Sequence, residues 1–399
     1  MDGVTLPLAE WRARPGLDRL AEALGAAEGK ARYVGGAVRD TLLGLAVADI
    51  DIATRHSPRR VMDLLKAAGI KAVPTGIDHG TVTAVLESGP VEVTTLRRDV
   101  TTDGRRATVA FTDDWREDAA RRDFTMNALY ADPLTGEIFD YFGGIADLEA
   151  RHVRFIGDPY QRIAEDHLRI LRFFRFLARF GDSADPPALE ACTARARDLM
   201  ALSRERIADE LLKLLVARDA VRVVDLMVER GILLPVLPEI DAAGVRRLAT
   251  LAEREADTGV APDAIRRLGA LLPPGLSDTA NDVGARLKLS NAARKRLANA
   301  VLPANGLAPR EAAYRLGSDF AIDRLLISGT DLGAVHDLRS WTPPRLPLTG
   351  GAIVARGIDK GPEVARLLAR IEKRWIAEGF PDAQRVAQLA DEVISESSA

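Results

Sequence analysis

The chain has 399 residues, of which 47% are hydrophobic and 28% charged, a globular balance that excludes a wholly disordered protein and points to two or three domains. Its formal net charge is −3, so overall basicity does not announce nucleic acid; only 8 of the 55 basic residues are lysine, an excess of arginine whose plain reading is a GC-rich genome, although arginine also holds phosphate with a rigid donor fork. One cysteine, Cys192, and five scattered histidines without an HExxH pattern exclude an internal disulfide, a thiolate zinc site and the common zinc hydrolases.

Met1-Asp2-Gly3-Val4 lacks the basic segment and apolar core of a signal peptide, and no apolar run reaches the roughly 18 residues of a membrane helix. A cytoplasmic protein is the expectation. The first 30 residues place Leu17, Leu20 and Leu24 at helical spacing. Tyr33-Val34 reads as a strand running into Gly35-Gly36, and Ala37 to Leu43 as a helix stopped by Gly44. Asp49-Ile50-Asp51-Ile52-Ala53 alternates acidic and apolar positions, as a half-buried strand does. Ser57-Pro58 offers an N-cap and a first-turn proline for a helix to Ala68, closed by Gly69.

Thr81 to Leu86 and Val91 to Leu96 read as strands joined by a Ser88-Gly89-Pro90 turn. Residues 99–112 are polar and arginine-containing and read as a mobile loop; a helix through Leu129 and a hairpin turn at Asp132-Pro133-Leu134-Thr135-Gly136 follow. Asp158 can cap a long helix to about Phe180, beyond which strand signals nearly vanish. A proline-rich stretch from Trp341 to Pro347 precedes a last helical segment, roughly 350–395. The expected fold class is α+β, a small sheet-bearing head on a helical body. The expected boundaries are a head at 1–157, a helical neck at 158–216, a body at 217–342 and a tail at 343–399.

Asp49 and Asp51, two apart on a strand, point to one face and repel unless a cation joins them; magnesium, which favours oxygen ligands, suits them. A solvated strand face is the commoner reading of a lone DxD. The Gly35-Gly36 pair, about 13 residues earlier, lets a backbone approach a phosphate closely without matching a Walker or dinucleotide loop. Together they make one coherent nucleotide site. Asp166, Arg169 and Arg172, spaced by three, line one helix face and offer an acceptor and donors like a Watson–Crick edge. A surface ion-pair ladder is the competing reading. Glu92, on a neighbouring strand, is either a third acidic group near the metal or a cross-strand partner. His336-Asp337 lacks a second histidine at useful spacing and reads as structural.

Val34-Gly35-Gly36-Ala37-Val38-Arg39-Asp40 followed by Asp49-Ile50-Asp51 resembles the opening motif of the class II tRNA nucleotidyltransferase and bacterial poly(A) polymerase family. His79-Gly80-Thr81 resembles its strand-entry signature, and Arg121-Arg122-Asp123-Phe124-Thr125-Met126-Asn127-Ala128-Leu129 its second motif. Phe142-Gly143-Gly144-Ile145-Ala146-Asp147-Leu148 resembles the hinge-like third, Glu165-Asp166-His167-Leu168-Arg169-Ile170-Leu171-Arg172 the base-reading fourth, and Ser203-Arg204-Glu205-Arg206-Ile207, continuing to Glu210-Leu211-Leu212-Lys213-Leu214-Leu215, the fifth. The match spans roughly residues 30–216.

The resemblance implies a polymerase-beta-like head and template-independent CCA addition to the 3′ end of tRNA from CTP and ATP. It implies a two-metal transfer with Mg2+ on Asp49 and Asp51 and release of pyrophosphate. It makes Gly35, Gly36, Arg39, Asp40, Arg122, Asp123, Asn127, Asp166, Arg169 and Arg172 nucleotide contacts and the tail the tRNA-binding region. Poly(A) polymerase and a partial CC- or A-adding enzyme remain alternatives within the family; the loop with Asp103, Gly104, Arg105 and Arg106 resembles the element used to switch from C to A. A non-catalytic RNA-binding protein on a dead head is the reading from another class, and intact Asp49, Asp51, Asp166 and Arg169 speak against it. A small-molecule nucleotidyltransferase leaves the helical body without a purpose.

Overall fold

The computed structural model describes residues 4–103, 106–303 and 306–398. Met1-Asp2-Gly3, and Gly104-Arg105 inside the expected loop, lie outside them. The chain divides into two compact units, Met1–Pro238 and Glu239–Ala399.

The first unit opens with α1 (Leu17–Ala23), whose Leu17 and Leu20 are buried as their spacing required. A glycine turn separates β1 (Ala31–Val34) from α2 (Gly36–Leu42). β2 (Asp51–Thr54) leads to α3 (Pro58–Ala67), where the Ser57 hydroxyl accepts from the Arg60 N–H at 3.4 Å. Then come β3 (Lys71–Gly76), β4 (Thr81–Leu86) and β5 (Gly89–Thr95). After the hairpin β6 (Arg97–Asp103) and β7 (Arg106–Phe111), α4 (Trp115–Ala120) returns the chain to β8 (Leu129–Ala131) and β9 (Ile138–Asp140). The main sheet has seven strands in the order β3-β4-β5-β2-β1-β8-β9. Its one parallel pair, β2 with β5, sets Asp51 opposite Glu92.

The head closes with α5 (Gly144–Glu149), and β10 (His152–Val153) leads to α6 (Pro159–Glu165) and α7 (Arg169–Phe180). β11 (Ser183–Ala184) pairs with β10, and α8 (Pro186–Ala194), α9 (Arg204–Leu215) and α10 (Ala220–Glu229) complete the unit. α7 buries Phe173, Phe176 and Phe180, and Arg172 and Arg175 lie beside them, their guanidinia over the Phe176 ring at 5.4 and 4.7 Å. Phe124 and Phe155 of the head meet Phe173 and Phe176 with ring centroids 4.9–6.5 Å apart. Each buried ring contributes about 1.5–3 kcal/mol, so α7 and the head are held as one body.

The second unit is helical throughout its elements, from Ala242–Asp257 to Ala383–Ser398. One core gathers Leu251, Leu326 and Leu338, another Ile371, Trp375 and Val386. His336 and Asp337 are both exposed on the helix Leu332–Ser340.

Three expectations are corrected. Arg97–Asp103 and Arg106–Phe111 are antiparallel strands, paired from Arg97↔Phe111 to Asp103↔Arg106, because the threonines and valines among the polar residues favour a pleated ribbon. The helix expected through Leu129 stops at Ala120; Thr125–Asn127 is a single 3-10 turn, and Leu129 opens a strand buried on both faces against β1. The long helix from Asp158 is two helices. Asp166 adopts an extended backbone (φ −152°), and its Oδ1 accepts the Leu168 N–H at 3.1 Å to start the second.

Candidate active site

The turn between β1 and α2 is where glycine is required. Gly35 lies at φ +69°, a region L side chains avoid, and a Cβ there would stand 3.6 Å from Arg122 Nη1 and 3.7 Å from the Asn127 carbonyl. Arg122 therefore leans over the turn from the second motif. Arg39 leaves α2 in the same direction: its Nη1 donates to Asn127 Oδ1 at 2.5 Å and its Nε to Asp40 Oδ1 at 2.8 Å. Burial draws the Arg39 pKa down, with Asp40 opposing.

Asn127 and Asp123 continue the chain of contacts. Asn127 Nδ2 donates to Asp123 Oδ1 at 2.9 Å, and Arg172 Nε donates to Asp123 Oδ2 at 2.7 Å. Burial alone would raise the Asp123 pKa, but Arg172 and the Asn127 hydrogen bond outweigh it and hold it near 2. Arg172 also meets buried Glu210 of α9 at 3.6 Å, and Arg175 Nε donates to the same carboxylate at 2.5 Å. Arg179 reaches back to Asp40 at 3.4 Å. One network thus joins α2, the 3-10 turn, α7 and α9. Removing one member strands charged partners away from water.

The acidic edge is different. Asp51 opens β2, half-buried, while Asp49 is exposed just before the strand and Glu92 exposed on β5. Burial raises the Asp51 pKa to about 6, Glu92 and Asp49 push the same way, and Arg122 opposes. Oxygen donors crowded beside a phosphate-sized turn, without nitrogen or sulfur, match a hard divalent cation. Among the described residues no group of three or more His, Cys, Asp or Glu side chains forms a closed cage.

Asp166 and Arg169 are held by the protein. Asp166 Oδ2 accepts from Arg206 Nη2 at 2.7 Å. Arg169 Nη1 donates to Glu165 at 2.5 Å and to the Arg162 carbonyl at 2.9 Å; its Nη2 donates to the Arg121 carbonyl at 3.2 Å. Both are set in fixed orientation at the cleft.

That cleft, about 470 Å³, is lined by ten of the twelve expected residues: Gly35, Gly36, Arg39, Asp51, Arg122, Asp123, Asn127, Asp166, Arg169 and Arg172. Asp40 lies behind Arg39 and serves as its partner, and Asp49 sits on the exposed approach to Asp51. Arg97, Arg121 and Phe176 also line it, unforeseen from sequence. Arg121 was legible beside Arg122; Phe176 was legible only as one of several core aromatics; Arg97 depends on the hairpin. Six arginines against three aspartates make the cleft electropositive, as a triphosphate requires.

Residues 31–154 match the Poly A polymerase head domain, and residues 184–243 match a family described as the probable RNA and SrmB-binding site of polymerase A. The mitochondrial CCA tRNA nucleotidyltransferase 1 of Mus musculus is 35% identical over 391 residues, 92% of this chain and 87% of that protein. The CCA-adding enzyme of Limosilactobacillus fermentum is 32% identical, covering 98% of each. The crystal structure of the Bacillus stearothermophilus CCA-adding enzyme in complex with CTP superposes with a TM-score of 0.75 at 27% identity, over 96% of this chain and 99% of that one.

Proposed function

The chain belongs to the class II CCA-adding enzyme family, and we propose that its cleft adds C, C and A to the 3′ end of tRNA from CTP and ATP, reading the base with Asp166 and Arg169. One observation carries the site assignment: the glycine turn, the acidic residue Asp51, the Arg122-Asp123-Asn127 group and the base-reading pair all open on one cleft.

Asp49 and Asp51 would hold the divalent metal that such nucleotidyltransferases use, and Mg2+ is the ion proposed. When bound, it supplies Lewis-acid activation of the RNA 3′-hydroxyl and charge neutralisation at the departing pyrophosphate. The chain's own residues do the positioning. The Gly35-Gly36 turn brings backbone close to the triphosphate, and Arg39 and Arg122 offset its charge. Asp123 and Asn127 orient the sugar. Asp166 accepts from the exocyclic amino group shared by cytosine and adenine, while Arg169 donates to a ring acceptor. Because Arg206 and Glu165 fix that pair, the base meets a preset pattern, and orientation rather than covalent chemistry accounts for the protein's share of the rate.

The helical residues beyond the neck, with the tail at 343–399, are proposed to grip tRNA through backbone phosphates and A-form shape. The described residues contain no helix long and apolar enough to cross a membrane. The cytoplasmic placement stays part of this proposal, resting on the single cysteine Cys192; the mouse relative's name places that protein in mitochondria.

The test is incorporation into tRNA lacking CCA, tRNA ending in CC, and an unstructured oligonucleotide, with CTP, ATP or both and magnesium. Three residues on the first RNA and one on the second are expected. Long A tracts on the oligonucleotide, arrest after CC, or binding without incorporation would each overturn the reading. Asp49→Ala should abolish incorporation while leaving tRNA binding nearly intact.

A further inference from the structure

Asp118 lies on α4, outside the cleft and outside the motifs described above, and is 1% exposed. A carboxylate so deeply buried is costly unless every lone pair is engaged. Here they are. Oδ2 accepts from the Tyr130 hydroxyl at 2.6 Å and from Arg122 Nη2 at 3.2 Å. Oδ1 accepts from Arg121 Nε at 2.8 Å and from the Arg97 backbone N–H at 3.2 Å. The Tyr130 oxygen also lies 3.4 Å from Arg122 Nε.

The consequence for Arg122 is geometric. One edge of its guanidinium is pinned by Asp118 and Tyr130, and the other end, Nη1, is the atom nearest the space above Gly35. The same carboxylate holds Arg121, which lines the cleft, and the first residue of the β6–β7 hairpin. We propose that Asp118 is a positioning residue for triphosphate binding: it fixes Arg122 over the Gly35 turn and ties it to the root of the hairpin. Although burial pulls its pKa upward, Arg122 and Arg121 hold the carboxyl ionised, near 2. The charge that clamps them is therefore present at any working pH.

An asparagine of the same shape would turn an NH2 group toward the donors on one side and, in either orientation, remove the charge that clamps Arg122, loosening its guanidinium. This rests on the nucleotide-transfer reading above, and the readouts separate the two. Asp118→Asn should raise the KM for CTP and for ATP about tenfold, the scale of one lost charge-assisted hydrogen bond, with kcat and the KM for tRNA within about twofold. Binding of CTP should weaken far more than binding of cytidine. In an Arg122→Gln background the Asp118→Asn change should add little, because both act through one guanidinium. Unchanged nucleotide KM, equal losses for CTP and cytidine, or multiplying effects of the two substitutions would overturn the proposal. Should Asp118→Asn not fold, Tyr130→Phe, which removes only the bridging hydroxyl, should show the same CTP selectivity at about threefold; an unchanged KM there overturns it equally. If the unsubstituted protein transfers no nucleotide, the functional reading falls; if it does and both variants match it, only this inference falls.

Discussion

Asp51 is pulled in two directions, and its pH behaviour follows from which wins. Burial, Glu92 and Asp49 raise its folded pKa to about 6 from an ordinary 3.8, against the pull of Arg122. For the metal-free protein, a raised pKa gives stability that is complete below about pH 4 and lost as pH climbs through 6. The cation proposed for Asp51 would have to displace that proton, so magnesium should bind better above pH 6 than below it. Melting curves should show a magnesium-induced rise in Tm at pH 7.5 that nearly vanishes at pH 5. Metal-free Asp51→Asn should melt above the unsubstituted protein at pH 7.5; equal magnesium shifts at both pH values would remove Asp51 from the metal site. At Asp166 and Arg169, proposed to read the base, Asp166→Ala should relax the choice between CTP and ATP and other nucleotides while leaving a folded cleft, measured by competing all four nucleotides on tRNA lacking CCA. Unchanged selectivity would remove the base-reading role. Most of these residues were legible because each belongs to a contiguous motif. Arg206 and Asp118 were less so: the first sits 40 residues from the carboxylate it holds, and the second matters through tertiary contacts that spacing alone cannot reveal.

Elements place these side chains, and one contact between elements is unusually close. A Cβ on Gly144, at the start of α5, would stand 2.4 Å from the Thr125 carbonyl oxygen. The Thr125–Asn127 turn carries Asn127 to Arg39 and Asp123, so pressure there displaces both the cleft and its supports. Gly144→Ala should cost about 1–3 kcal/mol by overpacking and raise the KM for nucleotide. Denaturant midpoints and kinetics on the same preparation check this, and a variant with unchanged stability would show that the turn yields freely. That turn is also where sequence reasoning broke down. Arg121 to Leu129 has a helical look, yet pairing of Tyr130 with Val34 draws the following residues into the sheet. Tertiary burial overrode local propensity. The helix broken at Asp166 failed for the opposite reason, since a short acidic side chain bonding its own backbone is a local signal hidden inside a longer periodic pattern. The strands and caps around Ser57, Asp132 and Asp158 were legible because turn chemistry and alternation agreed there.

At the scale of the whole chain, arginine abundance and nucleotide binding separate. In the second unit Arg254 bonds the Leu326 and Ile327 carbonyls, and Arg247 those of Ala270, Leu271 and Leu272. Arg266, Arg267 and Arg296 meet Glu255, Asp263 and Asp323 in a largely buried ion network. These cations are engaged in holding helices together, which is why composition alone could not announce a phosphate site. The cleft with its six arginines lies wholly within Met1–Pro238. A ligand that binds only the folded first unit stabilises it by about 2.7 kcal/mol at a hundredfold excess over Kd. Hydrogen exchange with saturating CTP should therefore slow in β1, β2, α7 and α9, while the core amides around Leu326 and Trp375 exchange at their original rates. Equal protection of both units would mean that nucleotide binding is coupled across the chain and that the cleft is only part of the nucleotide-responsive structure.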